Sequence, residues 1–209
     1  MWPPMNAGSS PDRAIAFFDG QNLFAAARDA FGFTTASYGV PRLARAVALQ
    51  RGWHLVQTRL STGMPDRQES PRLHHHWTAR LCRMRAEGVV VTARPLRRRR
   101  RRARLEDRAA VEFTVLEEKG VDARITLDVV RALLAGACDV VLLFSQDQDF
   151  AELADEVRTI AREQQRWVKI ASAYPVGPGT RNARGVEHTD WIPIERAAYE
   201  ACLETREVR

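Results

Sequence analysis

Short apolar segments recur along the chain and predict the strands of a sheet. They are rich in β-branched or aromatic residues and end at charged or turn-forming residues, as buried strands do. They cover residues 14–18, 54–60, 88–93, 140–144 and 167–173. Between them, apolar residues repeat at helical spacing over residues 40–50, 72–87, 122–136 and 149–164. The alternation of strand and helix predicts an α/β fold, a three-layer sandwich with a mainly parallel central sheet.

The length and composition favour a single domain. The chain has 209 residues, of which 45% are hydrophobic, enough for one sizeable core. We expect a flexible segment at residues 1–12, the main domain over residues 13–175, and a C-terminal loop and helix over residues 176–209 that pack on the same domain. The helix is expected from about residue 193. Three apolar residues are expected to dock it on the edge of the sheet: Trp191, Ile192 and Ile194.

Positive charge is concentrated in one segment. The net charge is +6, and residues 94–104 hold eight arginines and no acid, so the chain without them would carry 6 − 8 = −2. Such dense like charge favours a solvated position. Because residues 109–120 follow as a strand-like stretch, we expect a hairpin or loop insertion at about residues 94–108. It is either a solubility or disordered insertion or a phosphate-binding arm, since arginine forks pair with phosphate oxygens.

Acidic residues follow two of the predicted strands. The first strand ends in Asp19, with Asn22 opening a helix, and the segment 140–144 is followed by Ser145, Asp147 and Asp149. Each is also explained as a turn or a helix cap. If the chain stays extended after residue 144, these three side chains point to one side, because side chains alternate along a strand.

A third acidic position opens a later helix. Gly120 permits a sharp turn, and Asp122 lies at the start of the helix, where an acid also complements the helix dipole. Asp128 is more than one turn further on and reaches the same place only if the helix packs across it. Lys119 is a candidate to contact a phosphate, although a surface pair with Glu117 or Glu118 explains it equally well.

The three acidic junctions predict a cation site. In a parallel α/β sheet, ligands bind at the carboxyl ends of the strands, and carboxylates gathered there repel one another unless a cation neutralises them. Carboxylate and amide oxygens suit Mg²⁺ or Mn²⁺, which commonly bind together with substrate phosphates. The pattern therefore predicts a metal site for phosphodiester chemistry.

Three blocks of the sequence resemble the NYN domain, a PIN-like nuclease family. They are "FFDGQN", "EKGVDARITLD" and "VVLLFSQDQDFAELADEVR", in this order, within residues 13–175. The resemblance implies a PIN-like, Rossmannoid fold and a metal-dependent ribonuclease that acts on single-stranded or structured RNA. Gln146 departs from the family, which usually has glycine there, and is expected to crowd the approach to the acids.

The resemblance also implies roles for individual residues. The metal-binding acids fall on Asp19, Asp122, Asp147 and Asp149, with Asn22 supporting the site and Ser145 lining it. Asp128 and Lys119 are further supporting candidates. The arginines expected to grip the RNA are Arg97, Arg98, Arg99, Arg100, Arg101, Arg102 and Arg104.

Two alternatives to a ribonuclease remain open. One is a non-catalytic RNA-binding or regulatory module on the same scaffold. The other is a Toprim-like domain, which also places two acids after a strand but has glutamate where Asp19 stands here. A homodimer is expected by resemblance. No stretch approaches the roughly 18 apolar residues of a membrane span, and no secretory signal is recognisable, so we expect a cytoplasmic protein without membrane contact.

Overall fold

The computed structural model describes residues 11–34, 38–103, 111–117 and 119–204. Within residues 95–118, side chains are described only at 95, 96, 98 and 99. The described ranges contain eight strands: β1 (Arg13–Asp19), β2 (His54–Met64), β3 (Val90–Pro95), β4 (Arg97–Ala103), β5 (Val111–Glu117), β6 (Val140–Phe144), β7 (Lys169–Val176) and β8 (Asp190–Glu195). The described part of the chain also forms six α-helices: α1 (Gly20–Phe31), α2 (Val40–Gln50), α3 (Pro71–Ala86), α4 (Val121–Leu134), α5 (Ala151–Glu163) and α6 (Arg196–Glu200). A single 3₁₀ turn, Gln148–Phe150, precedes α5.

The central sheet has six parallel strands in the order β3-β2-β1-β6-β7-β8. The chain builds outward from β1 in one direction through β2 and β3, then returns to the other side of β1 with β6. The direction of building therefore reverses between β1 and β6, which is where parallel α/β sheets bind ligands.

Apolar residues on both faces of the sheet explain the continuous hydrophobic runs. In β1, Phe18 faces a core shared with α1, α2 and α3, while Phe17 faces a second core shared with α4 and α5. Phe18 stacks on Phe144 of β6 with 3.9 Å between ring centroids. A strand buried on both faces reads as a nearly unbroken apolar segment. The predicted three-layer α/β sandwich is confirmed.

The C-terminal segment differs from the expected helix at residue 193. Asp190–Glu195 is instead the edge strand β8, and the helix begins only at Arg196. Ile192 and Ile194 are buried while Trp191 and Pro193 are exposed, which is the two-residue period of a strand. Pro193 lacks an N–H, and an edge strand tolerates that loss.

The arginine run lies in a separate two-stranded antiparallel sheet. β4 pairs with β5 from Arg97 opposite Glu117 to Ala103 opposite Val111. Six consecutive arginines thus form a strand of the hairpin itself, inserted between β3 and α4. Arg98 ties this hairpin to the segment before α3, with 2.5 Å between Arg98 Nε and Glu69 Oε1. The expected flexible segment at residues 1–12 lies outside the described residues up to residue 10.

No helix within the described ranges is long and apolar enough to cross a membrane.

Candidate active site

The candidate site lies at the carboxyl ends of β1 and β6. Phe18 of β1 is in register with Phe144 of β6, so Asp19 and Ser145 leave neighbouring strands side by side. Ser145 Oγ lies 3.4 Å from Asp19 Oδ2 and donates a hydrogen bond to it. The parallel pairing of two buried strands therefore brings together residues 126 positions apart in the sequence.

Asp19 is a buried carboxylate at the first turn of α1. Its side chain is the helix N-cap and accepts a hydrogen bond of 3.2 Å from the Asn22 backbone N–H. The pKa of Asp19 is raised from 3.8 to about 6, mainly by burial. The neighbouring Asp147 and Asp122 carboxylates contribute to the rise, while the bonds from Asn22 and Ser145 oppose it. The energy of this buried negative charge would fall if a cation lay beside it.

Gly20 is the first residue of α1. A Cβ at this position would lie 2.8 Å from the Thr62 side chain of β2. Glycine is needed here because the two elements approach closely.

The segment after β6 is held by hydrogen bonds to its own side chains and to α1. Ser145 Oγ accepts a hydrogen bond of 3.1 Å from the Asp147 N–H. The Gln146 N–H donates to Asn22 Oδ1 at 2.9 Å. Asn22 therefore links the start of α1 to the exit of β6.

Asp147 and Asp149 do not continue the strand. Asp147 is half-buried, and its Oδ1 caps the 3₁₀ turn by accepting a hydrogen bond of 3.1 Å from the Asp149 N–H. Asp149 lies within that turn and is exposed. The chain is therefore not extended through residue 149, and the two carboxylates leave a turn rather than one face of a strand.

Asp122 lies in the first turn of α4 and is exposed. Gly120 precedes the helix with φ of 76°, a left-handed conformation that favours glycine. A Cβ on Gly120 would lie 3.0 Å from the guanidinium of Arg94, at the end of β3. Arg94 belongs to the arginine-rich segment 94–104, but its position beside this helix start was not predicted from the sequence. Lys119 is exposed, and Glu118 and the Glu117 side chain lie outside the described residues.

Asp128 is buried and lies in an ion-pair cluster with two partly exposed arginines. Both of its oxygens accept hydrogen bonds from Arg124, at 2.8 and 3.0 Å, and Arg59 lies 3.5 Å away. Arg59 also lies over the Phe17 ring, 5.7 Å from its centroid. The structure therefore gives the Asp128 carboxylate two arginine partners between α4 and β2.

The carboxylate oxygens at this edge are the kind of ligand that a hard divalent cation prefers. Among the described residues, Asp19 accepts two long hydrogen bonds, and the carboxylates of Asp122 and Asp147 are near enough to raise its pKa. In the described part of the chain, however, no three His, Cys, Asp or Glu side chains lie close enough together to hold a metal ion as they stand. Asp19, Asp122 and Asp147 are thus near one another, but their side chains are not arranged to bind one ion together.

The predicted RNA-binding arginines are only partly described. Arg98 and Arg99 are exposed, and Arg98 pairs with Glu69. The structure does not describe the side chains of Arg97, Arg100, Arg101 and Arg102, nor any part of Arg104.

Sequence reasoning missed the contacts of two glutamines beside the acids. Gln146 and Gln148 hold backbone carbonyls of the segment between β7 and β8. Gln146 was identified only as a departure from glycine, and its partners, 36 and 38 residues away, carry no sequence signal.

The fold and the acidic strand ends define the chain as an α/β protein with a candidate site where the sheet reverses its direction of building. The NYN domain family matches residues 13–181, and the chain belongs to this family. The NYN family is a PIN-like nuclease family, so membership in it supports an association with RNA.

One solved structure gives the same fold. It is a protein of unknown function from Vibrio parahaemolyticus, 18% identical, with a TM-score of 0.52, and the match covers 89% of this chain and 94% of that chain. No curated protein matches the sequence.

Proposed function

We propose that this protein is a metal-dependent ribonuclease that hydrolyses RNA phosphodiester bonds at the Asp19 edge of the sheet. The observation that carries the proposal is the burial of Asp19 at the reversal point, with its pKa raised to about 6 and two further carboxylates next to it. A structural helix cap needs no such neighbours. Family membership supports the nuclease class.

Four acids would hold Mg²⁺ or Mn²⁺ at this edge: Asp19, Asp122, Asp147 and Asp149. Asp122 is exposed and Asp147 half-buried, so their side chains have room to turn toward Asp19. When bound, such an ion supplies Lewis acidity toward phosphate oxygens and water. Hard oxygen ligands favour these ions over softer metals.

The surrounding residues orient the carboxylates. Ser145 connects the two strand ends, since its hydroxyl donates to Asp19 and accepts from the Asp147 N–H. Asn22 fixes the backbone of Gln146 and so positions the turn that carries Asp147. A carboxylate held in place before the substrate arrives needs less reorganisation during the reaction.

The arginine strand β4 would supply affinity for the RNA backbone. Arginines bind phosphate oxygens through paired N–H groups and release condensed counterions, so binding should weaken steeply with salt. Lys119, next to the start of α4, is a further candidate to contact a phosphate. An RNA substrate is consistent with a cytoplasmic location.

The test is cleavage of end-labelled RNA of mixed sequence by the purified protein with Mg²⁺, with Mn²⁺ and with EDTA, beside a DNA strand of the same sequence. Cleavage of RNA that requires the metal supports the proposal. Tight, salt-sensitive RNA binding without cleavage under any of these conditions would overturn it in favour of a binding module.

A further inference from the structure

The segment between β7 and β8, residues 177–189, borders the candidate site. We call it the β7–β8 loop. Because β7 is parallel to β6 and next to it, the loop begins at the same edge of the sheet as Ser145 and Asp147. It carries two exposed arginines, Arg181 and Arg184.

Two glutamines of the site segment hold this loop in place. Gln146 Nε2 donates to the carbonyls of Asn182 and Arg184, both at 2.7 Å. Gln148 Nε2 donates to the Gly185 carbonyl at 3.1 Å, and Gln148 Oε1 accepts from the Glu187 N–H at 3.0 Å. The two residues that flank Asp147 therefore make four hydrogen bonds to the loop.

Other contacts fix the same loop from its far side. Ser172 Oγ accepts a hydrogen bond of 3.0 Å from the Val186 N–H, and Tyr174 donates to the Ala183 carbonyl at 3.1 Å. A Cβ on Gly177 would lie 2.6 Å from the Ala30 carbonyl oxygen, and one on Gly185 would overlap Ser172 Oγ. Most of the loop is therefore at the surface, with Gly185 and Val186 buried, and it is held by its neighbours on both sides.

The Arg184 side chain lies on this fixed loop, and its charge makes no contact that stabilises the described fold. Its N–H binds Asn182 Oδ1 and its carbonyl binds Gln146. In the ranges the structure describes, its guanidinium makes no hydrogen bond or ion pair, whereas Arg181 lies 3.9 Å from Asp29. The Arg184 backbone is thus held by Gln146, the residue before Asp147 in the chain, while its charge stays unpaired, an arrangement suited to binding an anion.

We propose that Gln146 and Gln148 are positioning residues that tether the β7–β8 loop to the acidic edge, so that Arg184 binds a backbone phosphate of the nucleic acid. This inference rests on the proposed function, because it requires an RNA strand at this edge. It gives the strand a second contact, formed by the main domain itself, in addition to the arginine strand β4.

The binding test compares two matched arginine variants. Arg184→Gln removes the proposed contact, and Arg45→Gln removes an exposed charge on α2 that has no partner in the described structure. Binding of a labelled single-stranded RNA is measured by fluorescence anisotropy over a range of salt, with EDTA present so that cleavage does not interfere. For a single strand, each lost phosphate contact reduces the slope of log affinity against log salt by about 0.7.

The tether is tested separately by Gln146→Met, with Gln164→Met as its control. Gln164 also donates to a backbone carbonyl, that of Leu134, but at the end of α5. Hydrogen exchange of the backbone amides of residues 184–187 reports the tether without any RNA. We expect faster exchange and a smaller salt slope in Gln146→Met only, and no further loss of slope when Arg184→Gln is added.

The outcomes separate this inference from the proposed function. A wild-type protein that binds RNA while Arg184→Gln keeps the full salt slope overturns the phosphate contact alone. Unchanged exchange in Gln146→Met overturns the tether. A wild-type protein that neither binds nor cuts RNA removes the proposed function and this inference together.

Discussion

The buried charge of Asp19 should make the metal-free protein less stable at neutral pH than at acidic pH. The pKa of Asp19 is raised from 3.8 to about 6 by burial and, to a lesser extent, by Asp147 and Asp122. A group of this kind favours the folded state fully below pH 3.8, and that contribution is lost as the pH rises through about 6. At about 1.4 kcal/mol for each pH unit between the two values, the loss is about 3 kcal/mol.

Asp19→Asn removes the charge and keeps an acceptor for the Asn22 N–H. The metal-free variant should therefore exceed the wild type in free energy of unfolding by up to about 3 kcal/mol near pH 8. The gain should shrink as the pH falls through 6 and vanish near pH 4. Urea denaturation in EDTA at several pH values measures the difference.

Glu163→Gln is the matched control, because Glu163 is exposed at the end of α5. Its effect should be small and nearly independent of pH. A variant Asp19→Asn that is less stable than the wild type at every pH, or equally more stable at pH 5 and pH 8, would refute the reasoning.

Three further outcomes follow from the structure. Mg²⁺ or Mn²⁺ should raise the melting temperature of the wild type but not of Asp19→Asn, since a ligand at 100 times its Kd adds about 2.7 kcal/mol to the folded state; equal shifts in both proteins would place the ion elsewhere. Asp128→Ala should lower the free energy of unfolding by about 2 to 3 kcal/mol because Arg59 and Arg124 lose their buried partner, and an unchanged urea midpoint would contradict this. Gly185→Ala should cost about 1 to 3 kcal/mol through overlap with Ser172 and Trp191, and should alter Trp191 fluorescence; an unaltered spectrum and stability would show that the loop yields easily.

The strands that precede the acids were predictable because nearly all of their residues are buried. β1 and β6 are buried on both faces, so both appear as unbroken apolar runs whose ends are visible in the sequence. The NYN resemblance is confirmed by the family match over residues 13–181. Adjacency of Asp19 and Ser145 then depends only on the parallel pairing of two strands.

Local context decided what the sequence did not reveal. The edge strand β8 contains Pro193 and buries only two side chains, Ile192 and Ile194, which is too short a pattern to separate from the start of a helix. The turn at Gln148–Phe150 forms because the Asp147 side chain caps it. The expectation of an extended chain after residue 144 did not include such a cap. Six arginines become a strand through pairing with β5, although like charge alone favours a loop.

The side-chain tethers were the least predictable feature. Gln146 and Gln148 bind main-chain groups, which every residue carries, so no residue type marks their partners. Only the packing of the β7–β8 loop beside β6 brings those carbonyls within reach. The departure of Gln146 from glycine was visible, but its contact with the loop was not.

The central claim is that the acids at the reversal point are catalytic. The most direct measurement compares cleavage of labelled RNA in Mn²⁺ by the wild type, by Asp147→Asn and by Asp190→Asn. Asp190 is an exposed aspartate paired with Lys169 at the start of β8, so its variant controls for the loss of one charge. We predict metal-dependent cleavage by the wild type and by Asp190→Asn, and a loss of at least about 100-fold in Asp147→Asn, the scale of removing one group that stabilises developing charge. Cleavage by Asp147→Asn at the wild-type rate would contradict the assignment of this site.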